Sequence, residues 1–161
     1  MNENFEFFKK RWESEQGAFA RVIRAMPAEC LDYRPHEKNT CAGDLAWQLA
    51  IEQGNLVELI REPQINFAIT PAPAHASIVD VWEKNTNDLR DGLNKFDDSK
   101  WGEAVKFVMD GKVVWETNRQ DMFWGYLFDM VHHRGQLSTY LRPMGGKVPS
   151  IYGPSADDTG Q

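Results

Sequence analysis

Apolar residues recur at helical spacing in four long segments of the chain, and this periodicity constrains the fold more than any other feature. The four segments cover about residues 3–26, 40–62, 77–96 and 118–141. Prolines at positions 27, 63 and 143 follow three of them and are typical of helix ends. Four amphipathic helices that must each bury one apolar face predict an all-α fold, a four-helix bundle.

One short segment departs from the helical period. Between Ala104 and Trp115 the chain is rich in β-branched residues that alternate around Asp110-Gly111. Asp-Gly between such runs favours a tight turn, so we predict a small β-hairpin inserted before the fourth helix. The stretch from Glu62 to Ala76 is rich in proline and alanine and is predicted to be a loop. No repeat or linker divides the chain, so residues 1–161 are expected to form a single domain.

Charge and composition narrow the classes of partner and location. The 161 residues carry a net charge of −6 and no basic stripe, so we expect no nucleic-acid partner. No apolar run approaches the ~18 residues of a membrane span, so we expect no membrane partner. The charged N-terminus does not look like a signal peptide, and the two cysteines form no CxxC motif. These features favour a cytoplasmic protein with free thiols.

The segment with the most chemistry lies on the fourth helix. Asp129 and His133 are four residues apart, so they share one helix face about one turn apart, and Gln136 and Tyr140 continue that face. Two ligands at this spacing can hold one metal ion. The same spacing is also typical of an ordinary exposed ion pair, and the residues by themselves leave both interpretations open.

The neighbours of His133 have simpler expected roles. His132 is offset by about 100° and is expected to be hydrogen-bonded at a helix interface rather than to join the same site. Gly135 inside a helix indicates close approach of another backbone. Arg134 either holds the C-terminal tail or is exposed, and His36 and His75 are expected to be ordinary surface residues.

Several motifs together resemble the DinB family. They are HHRGQL at 132–137 followed by YLR at 140–142, the tail VPSIYGPSAD at 148–157, YRP at 33–35 and LAWQLA at 45–50. The resemblance covers most of the chain. It implies a four-helix bundle in up-down-down-up order, often dimeric, which holds a divalent metal with three histidines. The corresponding positions here are Gln48, Asp129 and His133, and only one of them is histidine.

This substitution of two ligands leaves two outcomes open for the site. In the first, Gln48, Asp129 and His133 hold Zn, Ni, Fe or Mn, and Glu52, one turn after Gln48, adds a carboxylate. In the second, the metal has been lost and the same side chains form a hydrogen-bonded polar cluster.

The resemblance also suggests a reaction. It implies a metal-dependent transferase or hydrolase that acts on a small molecule, and in one version a low-molecular-weight thiol takes part in the reaction. Glu52 and Tyr140 are candidate catalytic residues that would donate or accept protons. The alternatives are a non-catalytic bundle that binds a small ligand and a structural dimer whose pocket is a relic.

Two further predictions concern packing. The first helix has more aromatic residues than one stripe of a small bundle needs, so some are expected to be buried by a partner chain in a homodimer; they are Phe5, Phe8, Trp12 and Phe19. The tail is expected to pack back onto the bundle through its apolar residues, which are Val148, Ile151 and Tyr152.

Overall fold

The computed structural model describes residues 1–68 and 70–160. Within them, four long helices are accompanied by three short strands, so the fold is mostly helical, as the periodicity predicts. In chain order the elements are α1 (Glu3–Arg24), α2 (Ala42–Arg61), β1 (Gln64–Phe67), α3 (His75–Lys95), β2 (Ala104–Met109), β3 (Lys112–Asn118) and α4 (Arg119–Tyr140). None of the described helices is long and apolar enough to cross a membrane.

Local chemistry explains where the helices that carry the site begin. At α4, the side chain of Asn118 accepts a hydrogen bond from the backbone N–H of Asp121 at 2.8 Å. At α2 no side chain caps the first turn, and the backbone carbonyl of Leu31 instead accepts from the N–H of Gly43 at 2.7 Å. A Cβ at Gly43 would lie 3.0 Å from that carbonyl oxygen, so glycine permits the close approach that fixes the start of α2.

The core lies between the four helices. The helix α2 packs against α3 and α4, and α1 packs against the same two helices. The aromatic residues Phe5, Phe8, Trp12 and Phe19 of α1 are all buried within the single chain. Phe8, for example, contacts the rings of Trp101 and Phe123 at centroid distances of 5.4 and 5.2 Å. The prediction that a partner chain buries some of these four residues is therefore wrong, because the bundle itself covers all of them.

The strands form one sheet in the order β1-β2-β3. β2 and β3 are antiparallel and are joined at Asp110 and Gly111, which both have positive φ (51° and 73°), as a tight two-residue turn requires. β1 lies in the segment predicted to be a loop and pairs with β2 in parallel. The loop prediction missed this strand because β1 is only four residues long and its partner strand begins about 40 residues later in the sequence.

The C-terminal tail packs onto the bundle as predicted for Val148 and Ile151, but Tyr152 is 72% exposed and is held through its hydroxyl rather than by apolar burial. Val148 and Ile151 lie against the core, and the Tyr152 hydroxyl donates to Glu15 on α1 at 2.9 Å. Arg134 is buried and forms an ion pair with the same Glu15 carboxylate at 2.7 Å, and it also donates to the Tyr152 oxygen at 2.6 Å. Arg134 therefore fixes the tail through a tyrosine, and its carboxylate partner comes from the first helix.

Candidate metal centre

Two helices bring four polar side chains together. Gln48 and Glu52 lie one turn apart on α2, and Asp129 and His133 lie one turn apart on α4, which packs against α2. Each of Glu52, Asp129 and His133 offers one ligand atom, and these three atoms all lie within 4.8 Å of one another. The i and i+4 spacing on each helix determines that both pairs point to the same place.

The contacts within this group converge on the Nε2 atom of His133. Nε2 lies 3.3 Å from Asp129 Oδ2 and 2.9 Å from Gln48 Nε2, and Gln48 Nε2 donates to Glu52 Oε1 at 2.8 Å. Two ligand atoms that are each about 2.1 Å from one metal ion lie roughly 3.0–3.4 Å from each other at octahedral or tetrahedral angles. Asp129 and His133 have this spacing, and the ligand atom of Glu52 lies within 4.8 Å of both.

The ring of His133 is oriented by Gln136, one turn further along α4. Its Nδ1 lies 2.9 Å from Gln136 Oε1, an oxygen that can only accept, so Nδ1 carries a hydrogen. The other nitrogen, Nε2, then faces Glu52 and Asp129. This is the arrangement in which a metal-binding histidine is held by a hydrogen bond to its second ring nitrogen.

The two carboxyl groups differ in burial. Glu52 is only 3% exposed, whereas the side chain of Asp129 is 53% exposed. Glu52 Oε2 is the one buried side-chain oxygen or nitrogen in the described part of the chain that has no hydrogen-bond partner. Sequence reasoning places Asp129 among the three main ligand positions and Glu52 beside them, whereas the structure makes Glu52 the buried carboxyl group.

Burial and neighbouring charges set the protonation of the group. Burial raises the pKa of Glu52 to about 8. The hydrogen bond with Asp129 raises the pKa of His133 to about 9, and the pKa of Asp129 is lowered mainly by the same contact. Without a cation, Glu52 and His133 are therefore both protonated near neutral pH.

The amide of Gln48 can serve either state of the site. With Nε2 toward the centre, it donates to an ionised Glu52 and to an unprotonated His133. After a 180° rotation of the amide, Oε1 would accept from a protonated Glu52 and a protonated His133, and it would also be placed to act as a metal ligand. The group is thus chemically consistent both as a polar cluster and as a set of ligands.

A cavity of about 480 Å³ opens beside Glu52 and Asp129. Four aromatic residues form part of its lining, and they are Phe67, Phe107, Trp115 and Tyr126. A second cavity, of about 730 Å³, shares Gln48 and Phe67 with the first and extends toward Trp47. A small molecule in the first cavity would therefore lie directly against the polar group.

The tyrosine of this cavity is Tyr126 rather than Tyr140. The Tyr140 hydroxyl donates to the carbonyl of Thr40 at 3.3 Å and accepts from Asn39 at 3.3 Å. Both of these partners lie in the segment that precedes α2. Tyr126 accepts a hydrogen bond from Asn55 at 3.2 Å, and burial raises its pKa well above the usual range. Sequence reasoning missed it, although its position three residues before Asp129 puts it on the same helix face.

The neighbours of the cluster on α4 differ from the sequence-based expectations. His132 is exposed rather than at a helix interface, although its ring contacts that of His133 at a centroid distance of 5.3 Å. A Cβ at Gly135 would meet nothing within 4 Å among residues 1–68 and 70–160, so no other described segment of backbone lies close to it. His36 is exposed, and His75 is half-buried with Nε2 2.9 Å from the carbonyl oxygen of Ile23.

Comparison with known proteins gives a consistent result. The sequence profile of the DinB family matches residues 1–160. The chain is 24% identical to the uncharacterized protein YrdA of Bacillus subtilis, over 98% of this chain and 93% of that protein. A DinB-like protein from Bacillus cereus has a similar structure, with a TM-score of 0.75, 18% identity, and coverage of 91% of this chain and 97% of that one. A DinB-like protein of B. subtilis, YjoA, aligns with a TM-score of 0.66 and 15% identity over 91% of this chain and 94% of its own.

Proposed function

Because the chain belongs to the DinB family, we propose that it is a divalent-metal protein whose ligands are Glu52, Asp129 and His133, with Gln48 as a fourth, weaker ligand. The observation that supports this most directly is the carboxylate of Glu52. It is buried with one oxygen unpartnered, within 4.8 Å of an aspartate and a histidine. A proton or a cation must compensate a carboxylate buried in this way, and the aspartate and histidine beside it complete a set of ligands for a divalent cation.

The ligand chemistry limits the choice of metal. Two carboxylates, one imidazole and one amide oxygen form a mixed oxygen and nitrogen set that suits Mn²⁺, Fe²⁺, Ni²⁺ or Zn²⁺. Such an ion supplies a Lewis acid, which polarises a substrate or lowers the pKa of the nucleophile that it binds. We propose a metal-dependent transferase or hydrolase acting on a small molecule that enters the neighbouring cavity.

The residues of the chain have separate roles in this proposal. Asp129, the more exposed ligand, faces the cavity, and Gln136 holds the ring of His133 in place. The raised pKa of Tyr126 keeps its hydroxyl protonated in the physiological range, so Tyr126, which accepts from Asn55, could donate its hydrogen to an acceptor on the substrate but would not act as a base. Glu52 also lines the cavity, and it must give up the proton that it holds near neutral pH in the metal-free protein before it can bind the metal.

A non-catalytic bundle that binds a small ligand is the second candidate. It is favoured by the hydrogen bonds of Gln48, which connect Glu52 and His133 without any ion.

Metal analysis with thermal melts separates the two candidates. We would purify the protein without added metal, measure its metal content, and record melts with chelator and with Zn²⁺, Ni²⁺, Fe²⁺ or Mn²⁺. A metal at about 100 times its Kd stabilises the folded state by about 2.7 kcal/mol, which corresponds to an increase in Tm of roughly 5–10 °C for a chain of this size.

Adjacent histidines provide the matched control. His133→Gln should abolish the response to metal, whereas His132→Gln, which changes an exposed ring one residue away, should preserve it. A wild-type melt that is the same with chelator and with every metal would exclude the metalloprotein and leave the ligand-binding bundle.

Three further properties belong to this proposal. We propose the up-down-down-up helix order and a cytoplasmic location, the latter supported by the free thiols of Cys30 and Cys41. We also propose a homodimer, now through an exposed aromatic surface in which Phe7 and Phe128 both contact Trp124 at centroid distances of 5.7 Å. Light scattering should give twice the mass of the chain, and Phe128→Asp should give the mass of the monomer.

A further inference from the structure

We propose that the cavity between the β2–β3 hairpin and α4 binds a flat aromatic ring, which lies against Trp115 with its polar end toward Glu52 and Asp129. The inference depends on the shape and the lining of the cavity. It holds whether or not a metal occupies the neighbouring ligands, so it can fail or succeed independently of the proposed metal centre.

Flat rings form the inner wall of this cavity. Phe67 and Phe107 are stacked with an interplanar angle of 30° and a centroid distance of 5.4 Å, and Tyr126 lies 6.4 Å from Phe107. Aromatic faces contact other aromatic rings favourably in offset or edge-on arrangements. A planar ligand therefore fits this wall better than a branched aliphatic ligand of the same volume.

A β-bulge supplies the outer wall. Phe107 is paired with Trp115 and Val108 with Val113, so Val114 is an extra residue in β3 without a partner in β2. A bulge changes the direction of side chains at such a point, and both Val114 and Trp115 line the cavity although they are adjacent in sequence. In a regular strand, adjacent side chains would point to opposite faces of the sheet.

Gly125 on α4 gives the ring of Trp115 room to lie against the helix. A Cβ at Gly125 would be 3.2 Å from Cη2 of Trp115, a distance at which the ring has to move. Gly125 lies one turn before Asp129, so the position of this ring determines the width of the cavity close to the ligand cluster.

The two residues of the outer wall, Val114 and Trp115, are unusually exposed for apolar side chains. Val114 is 57% exposed and Trp115 is 43% exposed, on a strand at the edge of the sheet. Exposed apolar residues that line a concave surface are typical of a binding site. The floor contains the polar side chains of Gln48, Glu52 and Asp129, so the polar end of a ligand would lie against them.

Titration with a neutral aromatic probe tests the inference. The probe is naphthalen-1-ylmethanol, added to ¹⁵N-labelled protein in the presence of chelator, and the indole N–H signal of Trp115 is assigned with Trp115→Phe. We expect a saturable shift of that signal. The branched aliphatic alcohol 2,6-dimethylheptan-4-ol, which cannot stack on the aromatic wall, should bind about fivefold more weakly or worse.

Two neighbouring valines provide a matched pair of variants. Val114→Glu places a charge on the cavity wall and should weaken probe binding about tenfold or more. Val113 is 51% exposed and does not line the cavity, so Val113→Glu should change the affinity for the probe less than about twofold. Both substitutions are on the surface, so both variants should fold. Gly125→Ala should also weaken binding, and Gly135→Ala should not.

The alternative occupant of this surface is a second copy of the chain. In that case both Val113→Glu and Val114→Glu would lower the mass measured by light scattering, and the probe would bind equally weakly to both variants. That result would overturn the inference, as would the absence of a saturable shift at Trp115. Equal affinities for the aromatic and the branched aliphatic alcohol would contradict the proposed ligand class.

Discussion

The substitution Glu52→Gln removes the one buried carboxyl group of the cluster and keeps its size and shape. Burial raises the pKa of Glu52 from an ordinary value of 4.5 to about 8 in the folded protein. The stability that comes from this proton is fully present below pH 4.5, and it is lost as the pH rises through about 8, because the folded state then has to hold a buried charge. Glutamine carries no charge, so this loss should be absent in the variant.

The pKa difference sets the size of the effect. A change in pKa from 4.5 to about 8 corresponds to at most about 5 kcal/mol in the free energy of unfolding. Hydrogen bonding from Gln48 and solvent entering beside the half-exposed Asp129 reduce the cost of the charge. We therefore expect the variant to gain about 2–3 kcal/mol relative to wild type between pH 5 and pH 9.

Urea denaturation with chelator at pH 5, 7 and 9 measures this difference. His133 adds a similar loss of stability between pH 6.5 and about 9, but this loss occurs in both proteins and largely cancels in their difference. Glu58→Gln, six residues along the same helix and not in the cluster, is the control and should follow wild type. If wild type and Glu52→Gln show the same pH dependence, the reasoning about the buried carboxyl is refuted.

Three other predictions concern the pH dependence of metal affinity, the buried ion pair of Arg134 and the open space at Gly135. Metal affinity should increase by close to two orders of magnitude per pH unit below about pH 8 and level off above pH 9, because Glu52 and His133 must each lose a proton. Calorimetry in two buffers of different ionisation enthalpy counts these protons. A pH-independent affinity would contradict the ligand set. Arg134→Leu should lower the free energy of unfolding by about 2–3 kcal/mol, because the buried Glu15 then keeps only the Tyr152 hydroxyl and Arg11 as partners, and a loss below about 1 kcal/mol in urea denaturation would show that the pair is not important. Gly135→Ala should raise the free energy of unfolding by up to about 1 kcal/mol, since alanine favours the helix and its Cβ has open space, and a lower Tm would show that the position is constrained.

The sequence by itself determined the helices, because their signal is local. Helical periodicity and the Asn118 cap depend on residues a few positions apart, so they can be identified without any knowledge of the fold. For the same reason the spacing of Asp129 and His133 was enough to put both on one face of α4. The motif HHRGQ and the tail indicated the family, and the family profile matches residues 1–160.

Only the tertiary structure decided which group in the cluster is buried. Gln48, Glu52 and Asp129 are all polar residues on amphipathic helices, and their sequence does not show which of them faces the interior. The packing of α2 against α4 makes Glu52 the buried carboxyl and leaves Asp129 half-exposed. Burial of a charged group depends on the distance between two helices, which local periodicity does not encode.

The wall of the cavity also could not be predicted from the sequence. Its lining combines β1, α4 and a bulge in β3, and β1 pairs with a strand that begins about 40 residues later. A bulge depends on the register between two strands, so a pattern within one strand does not reveal that Val114 and Trp115 line the same cavity. Long-range pairing and helix packing therefore decided the chemistry of the site, because they bring together residues that are far apart in the chain.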